Sequence, residues 1–220
     1  MANLFDYVAW RGDISFDTIP FNKIDALLLS HLSYSLLNGL VPSSFEESKT
    51  LSQLSKDFKA ASDYEDRLKI GFVINKNTPE LLAKTAKSLR FKNVRICGYR
   101  EIFSEENVEQ FAAMTYIIKN GKNEEVIISY RGTDDTLVGW KEDFNIVWQD
   151  QIPAQKDALV YIEDAAKFFK NGFVIVGHSK GGNLAINTAV KCGEKIQKRI
   201  KQIYNFDGPG FSEDFFNQPE

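Results

Sequence analysis

Histidine and cysteine are scarce in this chain, at two of each in 220 residues. Cys97 and Cys192 stand far apart, with no redox motif beside them. That excludes a disulfide framework and a cysteine-based zinc site, and it fits a reducing compartment. No cluster of His, Cys and carboxylate residues has metal-ligand spacing, so no metal and no cofactor is expected. Net charge is also small, at -3. It implies no general attraction to nucleic acid. Long apolar runs are missing too. The longest, IDALLLSHLSYSLL, is too short to span a bilayer and contains Asp25 and His31. The opening MANLFDYVAWRGD lacks the basic and apolar regions of a signal peptide. The expectation is a soluble, cytoplasmic protein with no transmembrane segment.

What is present reads as one domain over 1–220, helical first and α/β later. Apolar residues at helical spacing predict a helix over 20–37. Ser43 or Ser44, ahead of Glu46 and Glu47, predicts a second helix start. NTPELLAKTAKSL predicts a third, with Thr78 as cap and Pro79 at the first helical position. Residues 93–131 are rich in β-branched and aromatic residues and carry Asn120-Gly121, so they predict an antiparallel meander. A helix at about 154–170 follows, then a strand at 173–177, a helix at 180–192 and a strand at 201–206. Strand–helix–strand implies a parallel crossover. The fold class is therefore α/β: a mixed sheet with a parallel strand–helix–strand core and N-terminal helices. The basic stretch VKCGEKIQKRIKQ reads as a solvated helix end.

The chemistry concentrates in FVIVGHSKGGNLAINTA, residues 173–189. Gly177-His178-Ser179-Lys180-Gly181 fits G-x-S-x-G, the nucleophile elbow. There a sharp strand-to-helix turn exposes a serine hydroxyl, and small flanking residues allow helix and strand to approach. An apolar strand directly before it and a small-residue helix directly after it (Gly182, Ala185, Ala189) are the context this motif requires. The backbone N–H of Lys180, at a helix N-terminus, is a candidate oxyanion donor. A glycine-rich turn that merely packs, or that holds a phosphate, is the alternative. The P-loop spacing is not matched.

A second loop lies upstream, in VIISYRGTDDTLVGWKEDFNIVW. Gly132 after a strand allows close backbone approach. Thr133 offers an N–H and a hydroxyl at one point. Arg131 is a candidate partner for Asp143, Asp134 or Asp135. Trp140, Phe144, Val147 and Trp148 are either a packing stripe or substrate contacts. With the elbow about 45 residues later, this arrangement resembles the fungal-type class 3 lipases, which are α/β-hydrolases. That resemblance implies Thr133 as the second oxyanion donor and 133–151 as a lid-like segment. FNKIDALLLSHLSY, SYRGTDDTLVGWKEDF, GHSKGGNLA and YNFDGPGF resemble more closely a bacterial Mbeg-like, lipase-like family of unknown function, from about residue 18 to the end. The resemblance implies an α/β-hydrolase-like fold and a serine hydrolase acting on an acyl ester or lipid.

A serine nucleophile needs a base and a group to orient it. α/β-Hydrolases run in the order Ser, acid, His. No histidine follows Ser179. His178 adjoins the serine, where an elbow points the side chain away, and His31 lies on an apolar helix face as a core residue. Asp207, at the end of the strand in YNFDGPG, is either the triad acid or the cap of its turn. Glu213 and Asp214 read as solvated. The chain ends at Glu220 soon after its last strand, so the expectation is a C-terminally truncated domain. The resemblance implies a family tail that carries the histidine. Alone, this chain is expected to be inactive or nearly so. A thioesterase using the same elbow and a non-catalytic binding protein on a hydrolase scaffold are the alternatives.

Overall fold

The computed structural model describes residues 2–69, 77–134, 136–149, 151–211 and 215. Five strands make up nearly all of the sheet: β2 (Arg95–Ser104), β3 (Glu109–Asn120), β4 (Asn123–Tyr130), β5 (Phe173–His178) and β6 (Ile200–Phe206). A two-residue strand, β1 (Lys49–Thr50), completes a six-stranded order β1-β2-β3-β4-β5-β6. β1 to β4 pair antiparallel, whereas β4, β5 and β6 run parallel. The β3–β4 hairpin closes at Gly121 with φ 60°, a left-handed conformation that glycine adopts without steric cost.

The strands bury alternate residues on two faces. Ile127, Val174 and Val176 face a layer of α1 (Leu4–Arg11), α2 (Lys23–Leu32), α3 (Leu51–Ala60) and α5 (Thr78–Thr85). Val126, Ile128, Phe173 and Ile175 face α7 (Pro153–Phe168) and α8 (Lys180–Lys191). Helices thus cover both faces, as a central parallel pair requires. Short helices α4 (Tyr64–Arg67) and α9 (Glu194–Gln197) lie in the connections, and α6 (Leu137–Trp148) follows β4. Among the described residues, no helix is long and apolar enough to cross a membrane.

Several boundaries differ from those the sequence predicts. The helix expected over 20–37 stops at Leu32. There the Ser33 hydroxyl donates to the Ser30 carbonyl at 2.6 Å, so side chains compete for the carbonyls that would continue the helix. The helix expected to start near Ser43 or Ser44 begins instead at Leu51. Thr50 and Gln53 form its capping box, and the Ser44 hydroxyl closes only a local turn onto the Glu46 N–H. α1 went unanticipated, although Asn3 and Asp6 form a capping box at its start. Part of the predicted lid-like segment is a regular helix, α6, capped by Thr136.

Candidate active site

The site lies at the carboxyl ends of β4, β5 and β6. Register dictates this. Tyr130 pairs with Gly177, and His178 pairs with Phe206. The chain therefore leaves the sheet at three adjacent points: Arg131-Gly132-Thr133, Ser179-Lys180 and Asp207-Gly208. Carboxyl ends of parallel strands are where open α/β sheets bind ligands.

Ser179 occupies the single-residue joint between β5 and α8, with φ 55° and ψ -131°. This conformation is sparsely populated for a side-chain-bearing residue and costs about 1–3 kcal/mol. Its surroundings hold it there. The Ser179 N–H donates to the Phe206 carbonyl at 2.9 Å, and the Ser179 carbonyl accepts from the Gly182 N–H at 2.8 Å. Ser179 itself is half-buried.

The glycines around it are dictated by backbone contact. A Cβ on Gly177 would sit 2.0 Å from the Gly181 carbonyl oxygen. One on Gly181 would sit 2.2 Å from the Tyr130 carbonyl oxygen, and one on Gly182 would meet the Asn205 side chain at 2.1 Å. Gly132 is equally constrained, since a Cβ there would meet the Tyr34 hydroxyl at 2.0 Å and the His178 carbonyl oxygen at 2.5 Å. So β4's exit loop is pressed against the residue that precedes the serine.

The histidines are engaged elsewhere. The Nδ1 atom of His178 lies 2.9 Å from the Tyr34 hydroxyl. Burial lowers its pKa, with an opposing pull from Asp207. His31 Nε2 lies 3.2 Å from the Thr78 hydroxyl, and burial lowers its pKa as well. Cys97 and Cys192 are both buried and free, and burial pushes their thiols up to about 12 and about 11. Neither is a nucleophile at neutral pH.

On the β4 side, the Thr133 hydroxyl donates to Asp143, with both carboxylate oxygens at 2.6 Å. Burial raises the Asp143 pKa, while the Thr133 bond and the Lys180 charge oppose the rise. Arg131 does not pair with Asp143. It pairs with Glu101 at 2.8 Å and lies 4.0 Å from Asp134. Asp135 lies outside the described residues. On the β6 side, Asp207 is exposed, with φ 56°. The turn that follows is capped by Asn205 rather than Asp207: the Gly208 N–H donates to Asn205 Oδ1 at 2.9 Å. The Asn183 amide further ties the turn to α8, through the carbonyls of Pro209 and Gly210. Glu213 and Asp214 lie outside the described residues.

The lid-like residues divide. Leu137, Trp140 and Phe144 line one outward face of α6, at 79%, 45% and 67% exposure. Trp148 belongs to α6, but its side chain lies outside the described residues, as does that of Val147.

The sequence reading missed the side chain of Lys180. It is fully buried, with Nζ 2.6 Å from Glu142 Oε2, 2.6 Å from the Gln110 carbonyl and 3.0 Å from Gln110 Oε1. Glu142 is fully buried too, and it also accepts from the backbone N–H groups of Gln110 and Ala154. A lysine inside G-x-S-x-G, opening a helix of small buried residues, was the available signal. Such an ammonium needs a buried carboxylate. Beside it, burial and a hydrogen bond with Asp157 push Glu109 up to about 8.

These features define an α/β protein with a strained serine joint, flanked by two loops at the carboxyl ends of a parallel strand trio. The chain belongs to the Mbeg1-like family, whose model matches residues 85–220, more than half of its length. That match takes in the sheet from β2 onward and every candidate site residue. FNKIDALLLSHLSY lies outside it. No curated protein and no solved structure matches the chain.

Proposed function

We propose that the protein is a serine hydrolase of esterase or lipase type, on an α/β-hydrolase-like fold, with Ser179 as nucleophile. The observation that carries this reading is the backbone of Ser179. A strained, side-chain-bearing residue at a strand–helix joint, with glycines cleared for backbone contact around it, is what a nucleophile elbow requires. A turn that only packed would be relieved by glycine at that position.

In this reading the Ser179 Oγ attacks an acyl carbonyl carbon, and a base takes the hydroxyl proton. The carbonyl oxygen becomes an oxyanion, held by the backbone N–H groups of Lys180 and Thr133. The alcohol leaves with the proton, and water then releases the acid by the same route. Asp207, exposed and one residue past the His178–Phe206 pair of the register, is the candidate acid. Both described histidines have other partners, so the base is proposed to come from outside the described residues. Within the segment 133–151, proposed to be lid-like, the outward face of α6 is proposed to contact an acyl chain through Trp140 and Phe144.

The engagement of His178 with Tyr34 favours a second reading, a non-catalytic binding protein on the same scaffold. Hydrolysis of short p-nitrophenyl acyl esters and acyl thioesters separates the two. The enzyme reading expects turnover by the natural protein and none by Ser179→Ala. Equal rates for the two proteins would remove Ser179 from the chemistry. Preference for the thioester would make the protein a thioesterase.

A further inference from the structure

We propose that Glu142 is a positioning residue for the Ser179 turn and acts through Lys180, so that α6 is a strut of the site and not a free flap. The proposal rests on the reading of Ser179 as nucleophile. Lys180 is the residue directly after the serine, and its backbone N–H is one proposed oxyanion donor. Its side chain runs inward to a buried polar cluster of Gln110 and Glu142. Both charged groups are fully buried, with exposures of 0%. A buried ammonium cannot lose its carboxylate without a large desolvation penalty. α6 therefore cannot swing away from the sheet without stranding the Lys180 charge.

The next residue of α6 bonds to the residue that carries the other donor. Asp143 holds the Thr133 hydroxyl at 2.6 Å. Successive helix residues point in directions about 100° apart, so this pair of carboxylates addresses two different loops. One loop ends β4 and the other begins α8. The two residues gripped are the two whose N–H groups are proposed to hold the oxyanion. Gln110 joins the same cluster from β3, since its side-chain oxygen accepts from both Lys180 and the Asp134 N–H. α6 thus fixes the spacing of the donors from its inner side, while Leu137, Trp140 and Phe144 remain outward.

Two variants test this. Glu142→Gln strands the Lys180 ammonium, so its folding is itself at risk. The paired variant Glu142→Gln/Lys180→Met removes both charges of the pair. Its new amide oxygen can accept from only one of the two backbone N–H groups, Gln110 and Ala154, that the Glu142 carboxylate held, so one neutral donor loses its partner while no charge is stranded. The readouts are the rate of Ser179 phosphonylation by a fluorophosphonate per folded molecule, kcat and KM on a short acyl ester per titrated site, and amide exchange over 137–148 and 179–183. The paired variant is expected to fold and to exchange faster in both segments together. Labelling rate and kcat should fall about 10- to 100-fold, the scale of an ångström-level misplacement, with KM nearly unchanged. A folded paired variant that labels at the wild-type rate overturns the proposal, as does faster exchange confined to 137–148. Wild-type protein that fails to label overturns the catalytic reading, and the positioning role falls with it.

Discussion

Among the described residues, two ion pairs are fully buried on both sides, and they do different things. Arg90 and Asp25 are both fully buried and bond at 2.5 Å and 2.8 Å. Arg90 also donates to the carbonyls of Ile14, Ser15, Ile19 and Pro20, and its guanidinium lies 3.9 Å from the centre of the Phe16 ring. Asp25 in turn caps α2 and accepts from the Tyr7 hydroxyl. Every partner belongs to the helical layer on one face of the sheet. Lys180 and Glu142 are as deeply buried, yet they and their partners come from β3, α6, the start of α7 and the serine turn. Arginine's planar fork suits the first task, because it gathers carbonyls from several loop residues at once, while lysine's compact ammonium places its three donors on just two residues, Gln110 and Glu142. The same physical device builds the N-terminal layer in one place and aims loops in the other.

The sharpest way to break this comparison is to remove Arg90. Arg90→Met leaves Asp25 buried and unpaired, and denaturant unfolding is expected to show a loss of about 3–5 kcal/mol. Phosphonylation of Ser179 per folded molecule should not change. A labelling rate that fell as far as in the Glu142→Gln/Lys180→Met variant would erase the difference between the pairs.

A pH-dependent effect should come from Glu109, which borders the second pair and not the first. Burial and Asp157 raise its pKa from 4.5 to about 8, with Glu142 adding to the rise and Lys180 opposing it. Between those two values the folded protein keeps a proton that the unfolded chain has released. Stability should therefore fall as pH rises from about 4.5 to about 8, and level off above. Glu109→Gln should flatten that dependence in thermal unfolding followed across the range. An unchanged slope would mean that Glu109 is not the group responsible.

How legible all this was differs by element. The β3–β4 hairpin announced itself through Asn120-Gly121, and the β5–α8 joint through four apolar residues running into G-H-S-K-G. Both signals are local, and both depend on backbone conformations that few residues adopt. The loop partners were less legible. Arg131 has Asp143, Asp134 and Asp135 as sequence candidates; Thr133 takes Asp143, Asp134 lies at 4.0 Å, and the shorter pair is with Glu101 on β2, which only the sheet register brings near. Lys180 and Glu142 are separated by 38 positions and meet through tertiary packing alone. Apolar residues in α6 read equally as core or as contacts, because spacing shows which residues share a face and not which way that face turns. α2 is shorter than its spacing predicts for a related reason: the apolar pattern continues past Leu32, but serine hydroxyls end the helix.

The smallest effect on stability belongs to the outer face of α6. Phe144 is 67% exposed, so Phe144→Ser should change unfolding free energy by no more than about 0.5 kcal/mol. If this face contacts an acyl chain, the same variant should slow hydrolysis of long-chain esters more than short-chain ones. Equal slowing on both would assign the face to something other than the acyl chain.

The nucleophile assignment is tested most directly by mapping a fluorophosphonate adduct on the natural protein by peptide mass spectrometry. The strained joint at Ser179 predicts a single phosphonyl group on the Ser179 oxygen, absent in Ser179→Ala. An adduct on another residue, or an equal yield from the variant, would contradict it.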